Sequence, residues 1–554
     1  MQSRSHITRR RWQAGIVILG TAILAIVPFF FYGIPSGHDF GFHQYSWLEV
    51  QHQWHQGILL PRWASLAHYG YGEARFLFYP PISWILGAGL GTLFPWPWVP
   101  GIFTWIAVSA SGLGMYWCAR EFLPRRNAMA AAMLYMFNPY QLLVIYWRSA
   151  SAELLTAALF PVMLRLVWRL RKPGLRNALW LALLLAAGWL TNAPAAVMLY
   201  YSLAMLVTIV ALQQRDWRIF GRTAFAAAAG GALAAFYLVP AAHEQSWVNL
   251  AEVFSAGVRP QDNFLFTQLA DVLHNRFNWL VSVVAVAEIS ALACILFFRS
   301  AFSKRVPKLH DVVVLPALWA FMAAALMVSV ADPLWHTLPK MRFVQLPWRW
   351  LLPFNTALVL VLALTLREWW KQAVLWLMLL GVLLYCGQWL QPPWWDHADD
   401  IREMQRAVAE SGHAGPGYEG TDEYAPIGAD PYEIKQDAPR ARVLAPETGL
   451  ITIERWAPEV KAMKVSTLHP AEIELRLFNY PAWQVKLNEK IVETKASETT
   501  AQIILPVPAG ESEIEVRFVR TWDRTAGAWI SLVAFLAWLC GLLMLRRPST
   551  SAAR

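Results

Sequence analysis

Cysteine is scarce in this 554-residue sequence: Cys118, Cys294, Cys386 and Cys540 all lie in or at the ends of apolar runs. None has the spacing of a zinc knuckle or a disulfide framework, so cysteine carries no chemistry here. Charge is scarce too. Only 15% of the residues are charged against 57% hydrophobic, which is too apolar for an ordinary soluble protein. The net charge of +10 gathers into no basic face interleaved with aromatics, which excludes a nucleic-acid partner. No convincing internal repeat is present, which weighs against the repeat architecture of many transporters. No small-residue cleavage site follows the first apolar run, so that run reads as a membrane span and not a signal peptide.

What the chain does have is long apolar runs. They occupy 12–32, 100–118, 127–146, 152–170, 177–191, 194–213, 222–241, 279–298, 311–330, 346–366, 373–390 and 526–545. About twenty apolar residues at 1.5 Å each cross a ~30 Å hydrocarbon core, and lipid offers the backbone no partners, so each run is helical. The fold class is an α-helical polytopic membrane protein of about twelve spans with a small C-terminal extracytoplasmic β-rich domain. Pro80 to Leu93, bracketed by prolines, reads as a re-entrant or juxtamembrane helix. With that threading 24 Lys and Arg fall in the inner segments and 8 in the short outer loops, the bias expected of basic cytoplasmic loops. It sets the location as the inner (plasma) membrane, with both termini cytoplasmic. The domains are 1–390, a membrane module with a first outer loop at 33–99; 391–525, extracytoplasmic and mostly β; and 526–554, a final span with a basic tail.

Residues 391–525 hold 15 basic and 23 acidic groups. A helix is predicted near Ile401 to Ser411, then a Gly, Pro and Asp-rich stretch to Pro439. Beyond it the period becomes two. Ile473, Leu475 and Leu477 alternate with Glu472, Glu474 and Arg476, and Ile514, Val516 and Phe518 with Glu513, Glu515 and Arg517, as half-buried antiparallel strands do. Leu450–Trp456, Trp483–Leu487 and Ala501–Val507 complete the sheet, with a hairpin turn at Asn488-Glu489. Nothing in this domain gathers into a catalytic group.

Three clusters carry the candidate chemistry, all on the outer side. The first is Gly37-His38-Asp39 with His43: a carboxylate beside two imidazoles, placed to take a proton from an acceptor hydroxyl, or alternatively to cap the helix starting at Phe40. Trp47, Val50 and Trp54 at helical spacing suggest that this helix lies in the membrane interface, with His52 and His55 on its wetter side. A metal on His52 and His55 would lack a third ligand. The second cluster is Arg148 and Glu153, which would point about 140° apart on one continuous helix and so meet other partners. The third is Lys340, Arg342, Gln345 and Arg349, where cations meet a helix start at Pro347. Unpaired N–H groups and two guanidinium forks make a receptor for phosphate. Glu288, alone within a span, is either functional or a neutral hydrogen-bonded helix contact.

These residues carry a resemblance. Gly37-His38-Asp39, Tyr79-Pro80-Pro81, Asn138-Pro139-Tyr140, Arg148 to Glu153, Gln345-Leu346-Pro347-Trp348-Arg349 and Tyr480-Pro481-Ala482-Trp483 resemble the bacterial 6-pyruvoyl-tetrahydropterin synthase-related multi-pass membrane proteins. That family is itself similar to lipid-linked-sugar glycosyltransferases of the GT-C fold and to YfhO-like proteins. Pterin synthases proper are small soluble zinc enzymes, and no such His set sits on a soluble domain here. The resemblance implies a GT-C-like transferase that moves a sugar from a polyprenyl-phosphate carrier to an extracytoplasmic glycan or protein acceptor. Asp39 would be its catalytic base, with His38, His43, Arg148, Glu153, Arg342, Gln345 and Arg349 binding substrate. The family often has Asp-x-Asp where this chain has His38-Asp39-Phe40, so a divalent cation is a possible cofactor without an assigned ligand set. The alternatives are a transporter or flippase of a lipid-linked phosphate or saccharide, and a non-catalytic envelope scaffold.

Overall fold

The computed structural model describes residues 13–302, 307–366, 368–390, 394–411, 415 and 417–545. The basic runs at Arg4 to Arg11 and 546–554, with Lys304, Arg305 and Arg367, lie outside the described residues, as do 412–414. The fold is mostly helical. Among the described residues nine helices are long and apolar enough to cross a membrane, or eleven if each of two bent pairs counts as one span. The expected run at 177–191 is the 17-residue helix Leu175–Thr191, at the short limit for a span. The count is thus nine to eleven among the described residues, and reaches the expected twelve only if this short helix also crosses. Pro81–Leu93 is a 13-residue helix, too short to cross.

The bent pairs are Arg218–Leu233 with Ala235–Trp247, turning by 76°, and Val312–Ala325 with Ser329–Thr337, turning by 87°. A break inside an apolar environment frees carbonyls that must be satisfied by protein. At the second break the Trp335 indole donates to the Leu326 carbonyl at 3.1 Å, and the Leu265 amide donates to Met327 at 3.1 Å. At the centre of the bundle runs Pro347–Thr365, whose residues Leu351 to Leu364 are all buried. Two of its polar side chains reach neighbouring helices: Asn355 donates to Glu288 at 2.8 Å and Thr356 to the Tyr135 hydroxyl at 3.0 Å. Glu288 is thus a hydrogen-bonded contact between two helices.

The strands are β1 (Ile34–Pro35) and β2 (Trp395–Asp396), which pair antiparallel, and nine more in the C-terminal region. They are β3 (Ala441–Val443), β4 (Gly449–Ala457), β5 (Val460–Thr467), β6 (Ala471–Phe478), β7 (Trp483–Leu487), β8 (Lys490–Val492), β9 (Lys495–Ala496), β10 (Gln502–Val507) and β11 (Gly510–Phe518). They form two antiparallel sheets in the orders β3-β6-β10-β9 and β4-β5-β11-β7-β8. The Leu487↔Lys490 register closes the expected hairpin, with Asn488 and Glu489 both at positive φ, the two-residue turn whose twist matches the strands. β11 alternates as expected. β6 does not: Glu474 and Arg476 are buried along with Ile473, Leu475 and Leu477. Glu474 is paired with Arg442 of the neighbouring strand β3, and Arg476 donates to the Ala438 carbonyl and lies against Gly70 of the first loop.

The helix Phe40–His55 is packed into the protein instead of presenting one open face. Most of its faces are buried, including Glu49, whose carboxylate accepts from Tyr418, Gln53, Ser65 and the Leu66 amide. The segment from Gly417 onward presses against this loop. A Cβ at Gly417, already at φ +88°, would stand 2.3 Å from the Leu66 carbonyl oxygen, so glycine is required there. A second tie joins the β-rich region to the helices: Arg524 donates to both Glu244 oxygens at 2.7 Å, and the Tyr480 hydroxyl to Glu244 at 2.6 Å.

Glu244 is fully buried, so Arg524→Met leaves an uncompensated carboxylate and is expected to cost about 3–5 kcal/mol. Thermal unfolding of the detergent-solubilised protein measures the loss. The double replacement Glu244→Met, Arg524→Met should recover most of it.

Candidate functional site

The first span hands over to a tightly fixed turn. β1 is held by β2, and Ser149 bridges to it: its hydroxyl donates to the Pro35 carbonyl at 2.8 Å and accepts from the Gly37 amide at 2.9 Å. Next the Asp39 amide donates to the Arg148 carbonyl at 2.9 Å. Chain and chain touch at Gly37, where a Cβ would lie 2.0 Å from the Trp147 carbonyl oxygen. Only glycine admits that approach. Asp39 occupies the N-cap position of Phe40–His55 without a side-chain capping bond; its carboxylate turns to Arg148 instead.

Arg148 and Glu153 do meet, contrary to the expectation from a continuous helix. Asn138 caps a new helical start at Pro139, accepting from the Gln141 amide at 2.9 Å. The chain then widens into a π turn over Val144–Arg148 and reverses at Ser149, φ 51°, before helix resumes at Ser151. The break removes the 100° per residue that would hold the pair apart. Arg148 ion-pairs with Glu153 and reaches Asp39 at 3.2 Å, with its guanidinium 4.9 Å from the Trp348 ring centroid. Glu153 also accepts from Arg349 Nε at 3.1 Å and from the Tyr140 hydroxyl at 2.5 Å. Arg349 is anchored further by the Val344 carbonyl at 2.8 Å.

This network forms part of the wall of a cavity of ≈ 520 Å³, within the range of small-molecule sites. Asp39, His38, His43, Glu153, Gln345 and Arg349 all line it; Arg148 and Arg342 do not. Arg148 stands behind, 2% exposed. Arg342 is turned over the Phe254 ring, 4.5 Å from its centroid, so the expected pair of Arg342 and Arg349 is split. The reason is local. Lys340 and Gln345 both have positive φ on either side of the turn Met341–Val344, which brings Lys340, Phe343 and Gln345 to the cavity and sends Arg342 away from it. The rest of the wall is largely apolar, with Trp189, Tyr237, Leu238 and Val253.

Charges in the cavity are unequal in freedom. Burial pushes the Asp39 carboxyl up, but Arg148, with His43, Arg349 and His38 behind it, more than offsets this and holds it below the ordinary carboxylate range. It stays ionised, and its Oδ1 has no hydrogen bond among the described residues while Oδ2 faces Arg148. Burial, and then Arg148, lower His38. His43 falls to about 4, through burial above all. Both imidazoles are therefore neutral at pH 7 and offer hydrogen bonds without charge.

Residues outside the expected set complete the cavity. Tyr79 comes from the first loop, and Thr421, Glu423 and Tyr424 from the polar stretch after the helix Ala398–Ser411. Glu423 has no ion pair among the described residues. Burial, followed by the Glu73 carboxylate, pushes it up to about 7. In the sequence Glu419 to Tyr424 looks like a solvated acidic loop, and no local signal marks it. No group of three or more His, Cys, Asp or Glu able to hold a metal occurs among the described residues. One Arg-bound carboxylate beside two imidazoles does not fit an oxygen-seeking divalent ion.

Compared with known families, residues 76–392 match the model of the 6-pyruvoyl-tetrahydropterin synthase related domain, a membrane protein. The match covers more than half of the chain, and the chain belongs to this family. No curated protein matches it.

Glu423 titrates near 4.5 unperturbed and near 7 folded. Between these values the folded protein keeps a proton that the unfolded chain has released, so stability falls as pH rises through that window. Above about 7 the penalty is fully present. Glu423→Gln should therefore be more stable than the parent at pH 8, by on the order of 2 kcal/mol, with the offset gone at pH 4. Thermal unfolding at the two pH values checks it; an offset that does not change with pH would contradict the assignment.

Proposed function

We propose, on the premise of this family membership, that the protein is a membrane glycosyltransferase moving a sugar from a polyprenyl-phosphate carrier to an extracytoplasmic acceptor, with a GT-C-like membrane module. The bias of basic residues toward the opposite loops supports a cavity on the outer side of the inner membrane, with both termini cytoplasmic. The single observation that carries the reading is the charge state of the cavity. Asp39 and Glu153 are each matched by an arginine, and Lys340 has no ion-pair partner among the described residues, so it is surplus positive charge on the wall whenever Glu423, which titrates near 7, is protonated. A phosphate headgroup fits that surplus, and the apolar wall suits a prenyl chain.

In the reaction the acceptor oxygen attacks the anomeric carbon as the bond from that carbon to the lipid phosphate oxygen breaks. Negative charge grows on the departing phosphate, where Lys340 and the outer edge of Arg349 stabilise it more than in the bound donor. The acceptor proton passes to Asp39 Oδ1, the oxygen not engaged by Arg148. Arg148 and Tyr140 are positioning residues: they hold Asp39 and Glu153 without touching substrate. His38 and His43, both neutral, orient sugar hydroxyls. Glu423, titrating near neutrality, carries the proton onward to solvent.

Asp39→Asn keeps the shape and removes the base. With purified protein and a panel of labelled polyprenyl-phosphate sugars, it should lose about a hundredfold or more in rate, on the order of 3 kcal/mol, with unchanged abundance. Lys340→Gln should lower kcat as well as weaken binding of the donor. Wild-type turnover by Asp39→Asn removes Asp39 from the chemistry. A wild-type protein that binds these donors but never releases product would make it a carrier of lipid-linked phosphate.

A further inference from the structure

We propose that the β-rich region holds a second anion site, built for a phosphate group, in the crevice where β5 and β6 meet the loop that follows the first span. Lys461 of β5, Arg476 of β6 and Arg440 line this crevice together with Trp456, Ser65 and Gly70. None of its lining residues belongs to the Asp39 cavity, so the two sites are separate.

The region that contains it is acidic, with 23 acidic against 15 basic residues between 391 and 525. Even so, the crevice gathers cations. Lys461 is 2% and Arg476 8% exposed, and neither has a carboxylate in ion-pair contact among the described residues. Lys461 donates to the Ala457 carbonyl and, at 3.1 Å, to that of Pro458. Arg476 gives one terminal nitrogen to the Ala438 carbonyl at 3.0 Å, and its Nε is buried without a partner among the described residues. Carbonyl dipoles satisfy donors but do not neutralise two buried charges, an arrangement that is costly unless an opposite charge arrives.

The acids nearby do not pair with these cations among the described residues. Glu49 accepts from Tyr418, Gln53, Ser65 and the Leu66 amide, and Glu459 acts on Lys461 only through its field, which it shares with Arg62 and Arg524. Burial, and then the charge of Arg440, press Lys461 down to about 7, as expected of a cation among cations. Trp456 closes one side, with the Arg440 and Lys461 cationic groups 5.9 and 5.4 Å from its ring centroid. A guanidinium fork beside a compact ammonium is a donor set that phosphate oxygens match. The phosphate could sit on a soluble glycan or on a lipid headgroup, and the chemistry of recognition is the same.

The test uses the full chain in detergent, with thermal unfolding followed against inorganic phosphate and against chloride at equal ionic strength. Phosphate should stabilise the parent and also Lys340→Gln, which weakens the cavity's own anion affinity. The apparent affinity should drop at least about tenfold in Arg476→Gln, the worth of one charged hydrogen bond. Lys461→Met gives the same reading if Arg476→Gln fails to fold. Protection by glycerol 1-phosphate assigns the group to a soluble ligand; protection by phosphatidylglycerol over phosphatidylcholine in nanodiscs assigns it to a lipid headgroup. The proposal is overturned if phosphate does not stabilise the parent, or if its effect survives both crevice variants, or if Lys340→Gln alone abolishes it.

Discussion

Glu153 between two arginines is the contact on which the rest of the cavity depends. A carboxylate 2% exposed inside a helical bundle is tolerable only when opposite charge and hydrogen bonds replace water, and Glu153 has Arg148, Arg349 and the Tyr140 hydroxyl around it. Those partners come from one side of the Ser149 break and from a helix start far along the chain at Pro347. Arg148 passes the constraint on to Asp39, and through its backbone carbonyl to the Asp39 amide. The network has a buried end and a wet end. Its inner members are spent on one another, whereas Asp39 keeps 37% of its side chain exposed, so the same charges that lock the helices also present an ionised oxygen to the cavity.

A recurring device joins the layers of the molecule. Tyr140 donates to Glu153, Tyr418 to Glu49 and Tyr480 to Glu244, at 2.5, 2.5 and 2.6 Å. Tyrosine suits this role because its ring packs as an apolar body while its hydroxyl brings a donor without a further charge. The second and third of these bonds tie residues beyond position 400 to the loop after the first span and to the bent helix pair. The Tyr418 bond, with that from the Thr421 amide to Glu73, keeps the 417–424 segment seated, and that segment closes the cavity with Thr421, Glu423 and Tyr424. Without the roof, Glu423 would be an ordinary solvated carboxylate; with it, burial beside Glu73 moves its titration to neutrality.

Apolar runs made the helices legible in the sequence, since lipid leaves the backbone only one way to satisfy itself, and period two marked β11 and the β7 to β8 hairpin. Bends were not legible, because breaks at Ala234 and at Leu326 to Val328 interrupt runs that remain apolar throughout. The Arg148 and Glu153 pair was hidden for a related reason: helical periodicity assumes regular geometry, and a π turn followed by a left-handed serine breaks it. Asp39, His38, His43, Glu153, Gln345 and Arg349, singled out because polar groups at the ends of apolar runs stand out, line one cavity. Arg342 was misplaced, as neighbours in sequence fell on opposite sides of a tight turn. Glu423 and the buried Glu49 and Glu73 could not be singled out at all, since an acid in a polar stretch looks the same whether it is solvated or enclosed.

Pairing Asp39 with Arg148 imposes a compromise on any chemistry at this oxygen. A carboxylate held below its ordinary range is a weak base, so it cannot pull a proton from a resting hydroxyl. That weakness costs little where the proton leaves late, because an oxygen forming a bond to an anomeric carbon becomes strongly acidic as the bond forms. The pairing then has a benefit: the carboxylate is ionised at every physiological pH and Arg148 holds its Oδ2. The same weakness constrains the fate of the proton. Once taken by so weak a base it is readily lost again, and in the proposed reaction a group on the same cavity wall that titrates near 7 would be its next holder. Asp39 and Glu423 line one cavity with environments that push their affinities for protons apart, one by a guanidinium and the other by burial beside a second acid. Such a separation between two carboxyls lets one stay charged against substrate while the other exchanges protons with water.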